Sequence, residues 1–347
     1  MGDSRVSLQL PDAALAEYLE SHIPGFRGPL QSTKFNGGQS NPTYLLEAAS
    51  GRYVLRRKPP GTLLGSAHAV DREFRVLDAL YGSGVAVAQP LHLCTDDTVI
   101  GSIFYVMSYI DGRVFWDPSL PELQPEQRSA LYQVLLQTLA AIHAVDVDKA
   151  GLADYGKPGN YFARQLARWS RQYRDSETQA IPAMEALITQ LPPRCPDDDG
   201  SIALVHGDFR IDNLMFTPDG SEVLAVVDWE LSTLGHPLAD LGYLCMALRL
   251  PRNPALPGLA GMDREALGIP DEPALLVRYA ELTGRSIPAD WPFVLAFSFF
   301  RLAAIAQGVA KRAQLGNASS EQAQQAGRMV QMLAELGLRE LQDNSSI

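Results

Sequence analysis

The sequence predicts an α+β protein with two lobes: a small β-rich lobe with one helix over residues 1–108, and a larger, mainly helical lobe over residues 109–347. Two patterns support this division. Short runs that read as strands, separated by Gly, Asn and Pro, occupy the first third of the chain, and long runs with apolar residues at helical spacing follow Asp111-Gly112. The length of 347 residues also favours two lobes, because one core rarely extends beyond about 250–300 residues.

The small lobe is expected to contain five strands and one helix. The helix is predicted by Val70, Phe74 and Leu77, which recur at helical spacing before the chain reaches Gly82. Turn residues at Ser50-Gly51 separate two of the strands. The predicted strands cover residues 33–35, 43–48, 53–57, 86–93 and 103–110, and the predicted helix covers residues 66–80.

The larger lobe is expected to contain a series of helices interrupted by one β-hairpin. The hairpin is predicted from two apolar runs, 214–216 and 222–227, joined by the turn sequence Thr-Pro-Asp-Gly at 217–220. The predicted helices cover residues 126–143, 162–173, 183–191, 238–250, 274–282, 291–315 and 320–341.

The most apolar stretch of the chain, residues 291–310, approaches the length of a membrane span. Pro292, Arg301 and Gln307 interrupt it, which favours a buried helix in the core of the large lobe. The first residues lack the apolar segment of a signal peptide. These features predict a soluble, cytoplasmic protein that has no membrane partner.

Charge and cysteine content exclude several classes of function. The formal net charge is −11, which argues against a nucleic-acid partner, because such binding needs a basic face. The cysteines Cys94, Cys195 and Cys245 are far apart and form no CxxC pair. They therefore predict neither a disulfide framework nor a structural zinc site, as in a reducing cytosol.

The segment VHGDFRIDN at 205–213, followed by VVD at 226–228, carries the strongest chemical signal. The predicted hairpin brings Asn213, at the start of its first arm, close to Asp228, at the end of its second arm. Their side-chain oxygens suit Mg²⁺. Asp208 lies on the loop just before and could orient an incoming hydroxyl and accept its proton. This combination is what phosphoryl transfer requires.

Several stretches of the chain together resemble a known family. These stretches are GGQSNPTYLL, YVLRRKPPG, SAHAVDREFRVL, FYVMSYIDG, HGDFRIDNLMF and VVDWELSTLGHPLADLGY. They resemble the aminoglycoside-phosphotransferase-like, or choline-kinase-like, branch of the protein-kinase fold, and within it the kinase domain that some animals fuse to an acyl-CoA dehydrogenase. The resemblance implies a protein-kinase-like two-lobe fold, ATP and Mg²⁺ as cofactors, Asp208 as catalytic base, and Asn213 and Asp228 as metal ligands.

The resemblance also implies where the nucleotide binds. The loop 36–42 connects two strands, as the phosphate-covering loop of a kinase does, and would use the backbone around Gly37 and Gly38 together with Ser40. Taken without the resemblance, the sequence of this loop favours an ordinary hairpin turn. Residues Met107, Ser108 and Tyr109 occupy the connector between the lobes, where backbone groups would bind the edge of an adenine.

One position departs from the family pattern, because the strand cation that holds the phosphates is usually a lysine. Side chains alternate along a strand, so Val54, Arg56 and Lys58 share one face and Arg57 points to the other. We expect Val54 to pack on the adenine and Arg56 to reach the phosphates, with Lys58 as the alternative anchor. Glu73, on the first helix, would orient Arg56; the alternative is that Glu73 is a solvated surface residue.

Three polar residues near the motif are interpreted as structural. Asp240, in PLADLGY, is expected to anchor the active-site loop, whereas His143 and His206 are expected to be packed and hydrogen-bonded to their surroundings. None of them is expected to contact the substrate.

These observations favour a small-molecule kinase that acts on a hydroxyl group. The fusion seen in the related subgroup implies a hydroxyacyl acceptor, either a hydroxyacyl-CoA or a hydroxy acid. An aminoglycoside or amino-alcohol acceptor is the first alternative and would need a carboxylate-lined pocket. The second is a nucleotide-binding pseudokinase, although Asp208, Asn213 and Asp228 are all present. Hydrolase motifs such as GxSxG and HExxH, and the Walker phosphate loop, are absent from the sequence.

Overall fold

A computed structural model describes residues 9–35, 41–59, 69–253, 256–315 and 320–342 of the chain. Strands concentrate in the first third and helices in the remainder, which confirms the predicted α+β class. The chain forms two compact units, each assembled from separate segments. The first unit comprises Met1–Val114, Asp148–Leu152 and Asn213–Ser232, and the second comprises Phe115–Val147, Ala153–Asp212 and Thr233–Ile347.

The first unit is built on an antiparallel five-stranded sheet. Its strands lie in the order β1-β2-β3-β5-β4. Because β3 lies in the centre of this sheet, its backbone is hydrogen-bonded to a neighbouring strand on each side. The strands are β1 Leu30–Lys34, β2 Thr43–Ala48, β3 Gly51–Arg57, β4 Pro90–Cys94 and β5 Phe104–Ser108.

Two helices and a hairpin complete the first unit. Helix α1, Asp12–His22, buries Leu15 and Leu19 in a core shared with Leu46, Leu55 and Phe104 of the sheet. Helix α2, Val70–Leu80, packs against β4 and β5. The hairpin consists of β7, Leu214–Phe216, and β8, Val223–Val226, which are paired antiparallel.

The second unit contains the remaining helices and a two-stranded ribbon. The ribbon pairs β6, Ala203–Val205, with β9, Thr233–Gly235. It carries the loop that begins at His206. The helices are α3 Pro125–His143, α4 Tyr161–Ser176, α5 Pro182–Gln190, α6 Leu238–Met246, α7 Arg264–Leu267, α8 Glu272–Thr283, α9 Trp291–Leu315 and α10 Ser320–Gln342.

Helix α9 is the core helix of the second unit. By length and composition its segment Trp291–Arg312 could cross a membrane, but 78% of its most apolar window is buried inside the structure. It packs against α4, α6 and α10. Its buried aromatic side chains include Trp291, Phe293 and Phe297. The expected core helix is therefore present at 291–315.

The predicted elements are present with shifted ends, and the short ones were missed. Strand β4 begins at Pro90 instead of residue 86, and α6 ends at Met246 instead of residue 250. Residues 66–68 of the predicted first helix lie outside the described residues. Helix α7 and strands β6 and β9 were not predicted, because elements of three or four residues carry too few apolar residues to establish a period. Helix α1, of 11 residues, was also not predicted.

The close packing of α6 on α9 depends on a glycine. A Cβ added to Gly242 would lie 2.6 Å from Val294 Cγ1 and 3.2 Å from the Val294 carbonyl oxygen. A Cβ added to Gly308, within α9, would come no closer than 3.6 Å to any neighbour. The two glycines therefore differ in the space around them.

We expect Gly242→Ala to lower the free energy of unfolding by about 1–3 kcal/mol, because the added methyl overpacks the α6–α9 contact. The measurement is urea denaturation followed by circular dichroism. Gly308→Ala is the matched control and should be neutral or stabilising by up to about 1 kcal/mol, since alanine favours the helix. Equal destabilisation by both variants would contradict this account of the packing.

Candidate active site

A buried carboxylate fixes the loop that follows β6. Asp240, in the first turn of α6, is fully buried and accepts hydrogen bonds from the backbone amides of His206 at 2.7 Å and Gly207 at 2.8 Å. A third neighbour, His143 Nε2, lies 3.3 Å from Asp240 Oδ2. Burial alone would raise the pKa of Asp240, but the hydrogen bonds from His143 and the loop outweigh burial and lower it. The expected anchoring role of Asp240 is confirmed.

The two residues before Asp208 are shaped by this anchor. Gly207 has a φ of +85°, a conformation that favours glycine. His206 is fully buried, and its Nδ1 accepts a hydrogen bond from the amide of Asp208 at 3.2 Å. His143 is buried and contacts the hydroxyl of Tyr279 at 2.7 Å. Both histidines are thus packed and hydrogen-bonded, as expected.

The Asp208 side chain is partly exposed and lies near two polar side chains, those of Arg210 and Tyr243. Arg210 Nε is 3.5 Å from Asp208 Oδ1, and Arg210 also contacts Asp212 at 2.7 Å. Tyr243, on α6, is buried close enough to Asp208 for the carboxylate to affect the pKa of its hydroxyl. Burial and the adjacent Asp208 carboxylate raise the pKa of Tyr243 far above its ordinary value. Asp208 therefore presents a carboxylate with a fixed orientation and a face that is accessible to solvent.

An apolar pocket in the same unit adjoins this loop. Arg210 and Asp212 are the only charged residues among those described that line it. Tyr243 belongs to both the pocket wall and the surroundings of Asp208. The remaining lining side chains are aromatic, aliphatic or sulfur-containing, or are prolines: Trp116, Pro118, Tyr132, Ile211, Leu244, Met246, Ala247, Leu248, Leu250, Leu256, Pro257 and Leu275.

In the first unit, Arg56 joins three carboxylates. Its Nε lies 2.8 Å from Glu73 Oε2, and one terminal nitrogen lies 2.7 Å from Asp228 Oδ1 and 3.4 Å from Glu230 Oε2. Arg57 points to the opposite face, where it donates to the Ile100 carbonyl at 3.3 Å. The predicted alternation along β3 and the predicted pairing of Arg56 with Glu73 are confirmed.

Glu73 is buried and held by two further donors. The amide of Asn41 donates to its Oε1 at 2.7 Å, and the Tyr105 hydroxyl donates to its Oε2 at 3.0 Å. Burial raises the pKa of Glu73 to about 7, although the Arg56 guanidinium opposes that shift. Glu73 is therefore not a solvated surface residue, and its position is fixed from three sides.

The hairpin delivers Asn213 and Asp228 to the same end, as predicted. Strand register pairs Leu214 with Val226, and the Asn213 carbonyl accepts a hydrogen bond from the amide of Val227 at 2.9 Å. Asp228 has a φ of +65°, which aspartate tolerates better than most residues.

The charges of this cluster suit a divalent cation. One guanidinium, that of Arg56, faces Glu73, Asp228 and Glu230, so two negative charges are left when all three are ionised. Oxygen ligands of this kind fit Mg²⁺. Among the described residues, no group of three or more His, Cys, Asp or Glu side chains is arranged to hold a metal. An ion held at Asn213 and Asp228 would therefore complete its shell with oxygens from elsewhere, such as phosphates.

The predicted adenine-binding residues lie on β3, on β5 and just after β5. Val54 is buried and is paired in register with Met107. The amide of Ser108 donates to the Gln89 carbonyl and its hydroxyl accepts from the Gln89 amide, both at 2.9 Å. Ser108 is therefore engaged by its neighbour, and Tyr109 lies under the Arg52 guanidinium, 4.2 Å from the ring centroid. The predicted loop residues Gly37, Gly38 and Ser40 lie outside the described residues.

Sequence reasoning missed four residues that the structure brings into these clusters. Asn41 and Tyr105 hold Glu73, Glu230 shares Arg56, and the Asp208 carboxylate raises the pKa of Tyr243. Only Glu230 could have been suspected from the sequence, because it lies two residues after Asp228, a predicted site residue. The others are distant in sequence from the side chains that they contact.

Comparison with known proteins identifies relatives that are longer than this chain. Acyl-CoA dehydrogenase family member 10 of Mus musculus is 48% identical over 334 residues, covering 96% of this chain and 31% of that protein. Acyl-CoA dehydrogenase family member 11 of Rattus norvegicus is 45% identical over 332 residues, covering 94% of this chain and 42% of that protein. The chain thus spans less than half the length of these curated relatives.

Solved structures share the fold. A Ralstonia eutropha protein, provisionally described as an aminoglycoside phosphotransferase, is 47% identical with a TM-score of 0.87, covering 98% of this chain and 100% of that chain. Choline kinase from Cryptosporidium parvum, 11% identical, has a TM-score of 0.63 and covers 95% of each chain. Spectinomycin phosphotransferase in complex with ADP and spectinomycin, 15% identical, has a TM-score of 0.61 and covers 96% of this chain and 99% of that chain. The predicted kinase-like fold is confirmed.

The family itself follows from the match to its model. The model for the phosphotransferase enzyme family matches residues 32–282, which include both the Arg56 cluster and the loop of Asp208. The Ralstonia eutropha protein, which is 47% identical to this chain, is also described as a phosphotransferase. This chain belongs to the phosphotransferase enzyme family.

Proposed function

We propose that this protein is an ATP- and Mg²⁺-dependent kinase that transfers the γ-phosphoryl group to the hydroxyl of a small acyl compound, either a hydroxyacyl-CoA or a hydroxy acid. The observation that carries the proposal is the apolar pocket whose wall includes Arg210, Asp212 and Tyr243, since Arg210 Nε lies 3.5 Å from the carboxylate of Asp208. An acyl chain would fill such a pocket and place its hydroxyl near the base.

Asp208 is the general base in this proposal. Its carboxylate accepts the proton of the acceptor hydroxyl as the oxygen attacks phosphorus. Asp240 holds the backbone on which Asp208 is carried, so that the carboxylate need not reorganise during transfer. The exposed face of Asp208 leaves room for the acceptor.

The first unit would bind the nucleotide. Arg56 would hold the phosphates with its terminal nitrogens while Glu73 retains its Nε, and Asn213 and Asp228 would hold the metal. Mg²⁺, when bound, would neutralise negative charge on the phosphates. Val54 and backbone groups of the segment Met107, Ser108 and Tyr109 would contact the adenine.

The location of acidic residues argues against a polycationic acceptor such as an aminoglycoside. A second pocket contains Asp197, Asp198, Asp199 and Asp290. It adjoins residues just before β6 and just after β9, and these strands are antiparallel. Such residues lie at the end of the ribbon opposite to the loop of Asp208, so the carboxylates are not in position to hold an acceptor there.

The pseudokinase alternative also receives little support. A degenerate kinase site usually lacks one of its chemical groups, whereas Asp208, Asn213 and Asp228 are all present here. The names of the longer relatives, which are acyl-CoA dehydrogenase family members, favour an acyl acceptor.

The acceptor proposal is tested by measuring ADP release with 3-hydroxybutyryl-CoA, 3-hydroxybutyrate, kanamycin and choline at matched concentrations. We expect the highest kcat/KM with the hydroxyacyl compounds.

Asp208→Asn should lower kcat roughly 10²–10⁴-fold while nucleotide binding, measured by calorimetry, is retained. Preference for kanamycin or choline would refute the acyl acceptor, and wild-type turnover by the Asn variant would refute the base.

Asp228→Ala should abolish the tightening of ATP binding that Mg²⁺ causes, because it removes the proposed bridge to the metal. Calorimetric titration of ATP with and without Mg²⁺ measures this difference. Asp228→Asn serves as the matched variant, since asparagine tolerates the backbone conformation of Asp228 and keeps one neutral oxygen. It should retain only part of the metal effect. Unchanged metal dependence in both variants would show that Asp228 is not a ligand.

Arg56→Ala should lower kcat/KM for ATP by about 10-fold or more, because a charge-assisted contact to phosphate is lost. Arg56→Lys should keep part of the activity, since an ammonium can reach a phosphate as a point charge. Lys58→Ala, on the same strand face, is the matched control and should change ATP use little. A larger loss with Lys58→Ala would identify Lys58 as the phosphate anchor instead.

A further inference from the structure

Trp116 differs from the other three tryptophans of the chain in its exposure to solvent. Its surface is 71% exposed, whereas Trp169, Trp229 and Trp291 are at most 3% exposed. The Trp116 side chain nevertheless lines the apolar pocket described above. An indole offers one of the largest apolar surfaces of any side chain, and its exposure to water is unfavourable. Trp116 therefore forms an uncovered part of the wall of the apolar pocket.

The backbone on both sides of Trp116 is fixed, although its side chain is exposed. Phe115, the residue before it, is buried. Asp117, the residue after it, accepts a hydrogen bond on its carboxylate from the amide of Ser119 at 2.8 Å. The same carboxylate pairs with the guanidinium of Arg252 at 3.0 Å. The indole is thus carried by an anchored segment, which favours binding because less freedom is lost when a ligand covers it.

The apolar pocket combines two kinds of surface. Its charged part consists of Arg210 and Asp212, and Arg210 Nε lies 3.5 Å from the carboxylate of Asp208. The rest of its wall, which includes Trp116, is apolar or aromatic. A ligand that covers both surfaces needs a polar group at one position and a hydrocarbon segment at another. A hydroxylated acyl chain has both.

We propose that Trp116 is a specificity-determining residue for the acceptor: its indole packs on the carbon chain, so that a longer chain binds more tightly. The proposal rests on the function proposed above and concerns the same pocket. Each further methylene that the indole and its neighbours cover should strengthen binding about fourfold. Trp116 takes no part in the phosphoryl transfer itself.

Trp116→Ala should therefore weaken acceptor binding and leave nucleotide use unchanged. We expect the KM for 3-hydroxyhexanoyl-CoA to rise about 10-fold, and the KM for 3-hydroxybutyryl-CoA to rise less, because a shorter chain leaves less surface to cover. The KM for ATP should stay within about twofold of wild type. Trp116→Phe keeps an aromatic ring and should give intermediate values. Steady-state ADP release measures all of these constants.

Tyr81→Ala is the matched control, because it also removes an exposed aromatic side chain. Tyr81 is 52% exposed, follows α2 in the first unit, and is not among the residues that line the two pockets described above. It should change neither KM. Since Trp116 and Tyr81 are both exposed, their alanine variants should unfold within a few degrees of wild type, as measured by circular dichroism.

Acrylamide quenching of tryptophan fluorescence gives a measure of binding that does not depend on turnover. Because the other three tryptophans are buried, acrylamide should quench mainly Trp116. Hexanoyl-CoA lacks the hydroxyl and cannot accept a phosphoryl group on its chain. At saturation, established by calorimetry, it should lower the quenching constant about twofold or more, whereas CoA alone should not. Trp116→Phe should abolish this protection.

The outcomes separate the role of Trp116 from the proposed function. Unchanged quenching with bound hexanoyl-CoA, no binding of hexanoyl-CoA, or equal rises in the KM for both chain lengths would overturn the role of Trp116. The kinase function would stand in those cases, provided that the wild-type protein phosphorylates 3-hydroxyhexanoyl-CoA. If the wild-type protein phosphorylates no hydroxyacyl compound, the proposed function itself is wrong, and the role of Trp116 with it.

Discussion

The second unit depends on the ionised carboxylate of Asp240, which is held entirely inside the protein. A buried charge is tolerated only when hydrogen bonds replace water, and here the donors are His143 and two consecutive backbone amides. Those amides belong to the residues immediately before Asp208. One carboxylate therefore fixes the start of α6, the path of the loop and the direction in which Asp208 points. The position of Tyr243, one helical turn later, follows from the same constraint.

In the first unit, the main electrostatic feature is a single guanidinium that lies between several carboxylates. Arg56 meets Glu73 with Nε and Asp228 with a terminal nitrogen, which a guanidinium can do because its donors point along different edges. A lysine offers a single nitrogen on a flexible chain and could not span both carboxylates in this way. Asn41 and Tyr105 restrain Glu73, and so extend the network around Arg56.

The sequence was informative wherever local periodicity determines geometry. Alternation along one strand separated Arg56 from Arg57, and the length of one turn brought Asn213 and Asp228 to the same end of a hairpin. Tyr105 could not be predicted, because its partner, Glu73, is 32 residues away on another element. Such contacts depend on how helices and strands pack, and a single sequence contains no period that reports packing between distant segments.

The burial of α9 has a consequence for the way the chain is synthesised. Its most extensive partner is α10, which packs so closely that a Cβ on Gly337 would come within 2.9 Å of Phe299 Cβ. Because α10 follows α9 in the chain, the apolar face of α9 leaves the ribosome before the helix that covers it. Until α10 emerges, that apolar face is exposed to solvent. Chaperones that bind unfolded apolar segments can therefore bind the nascent chain there.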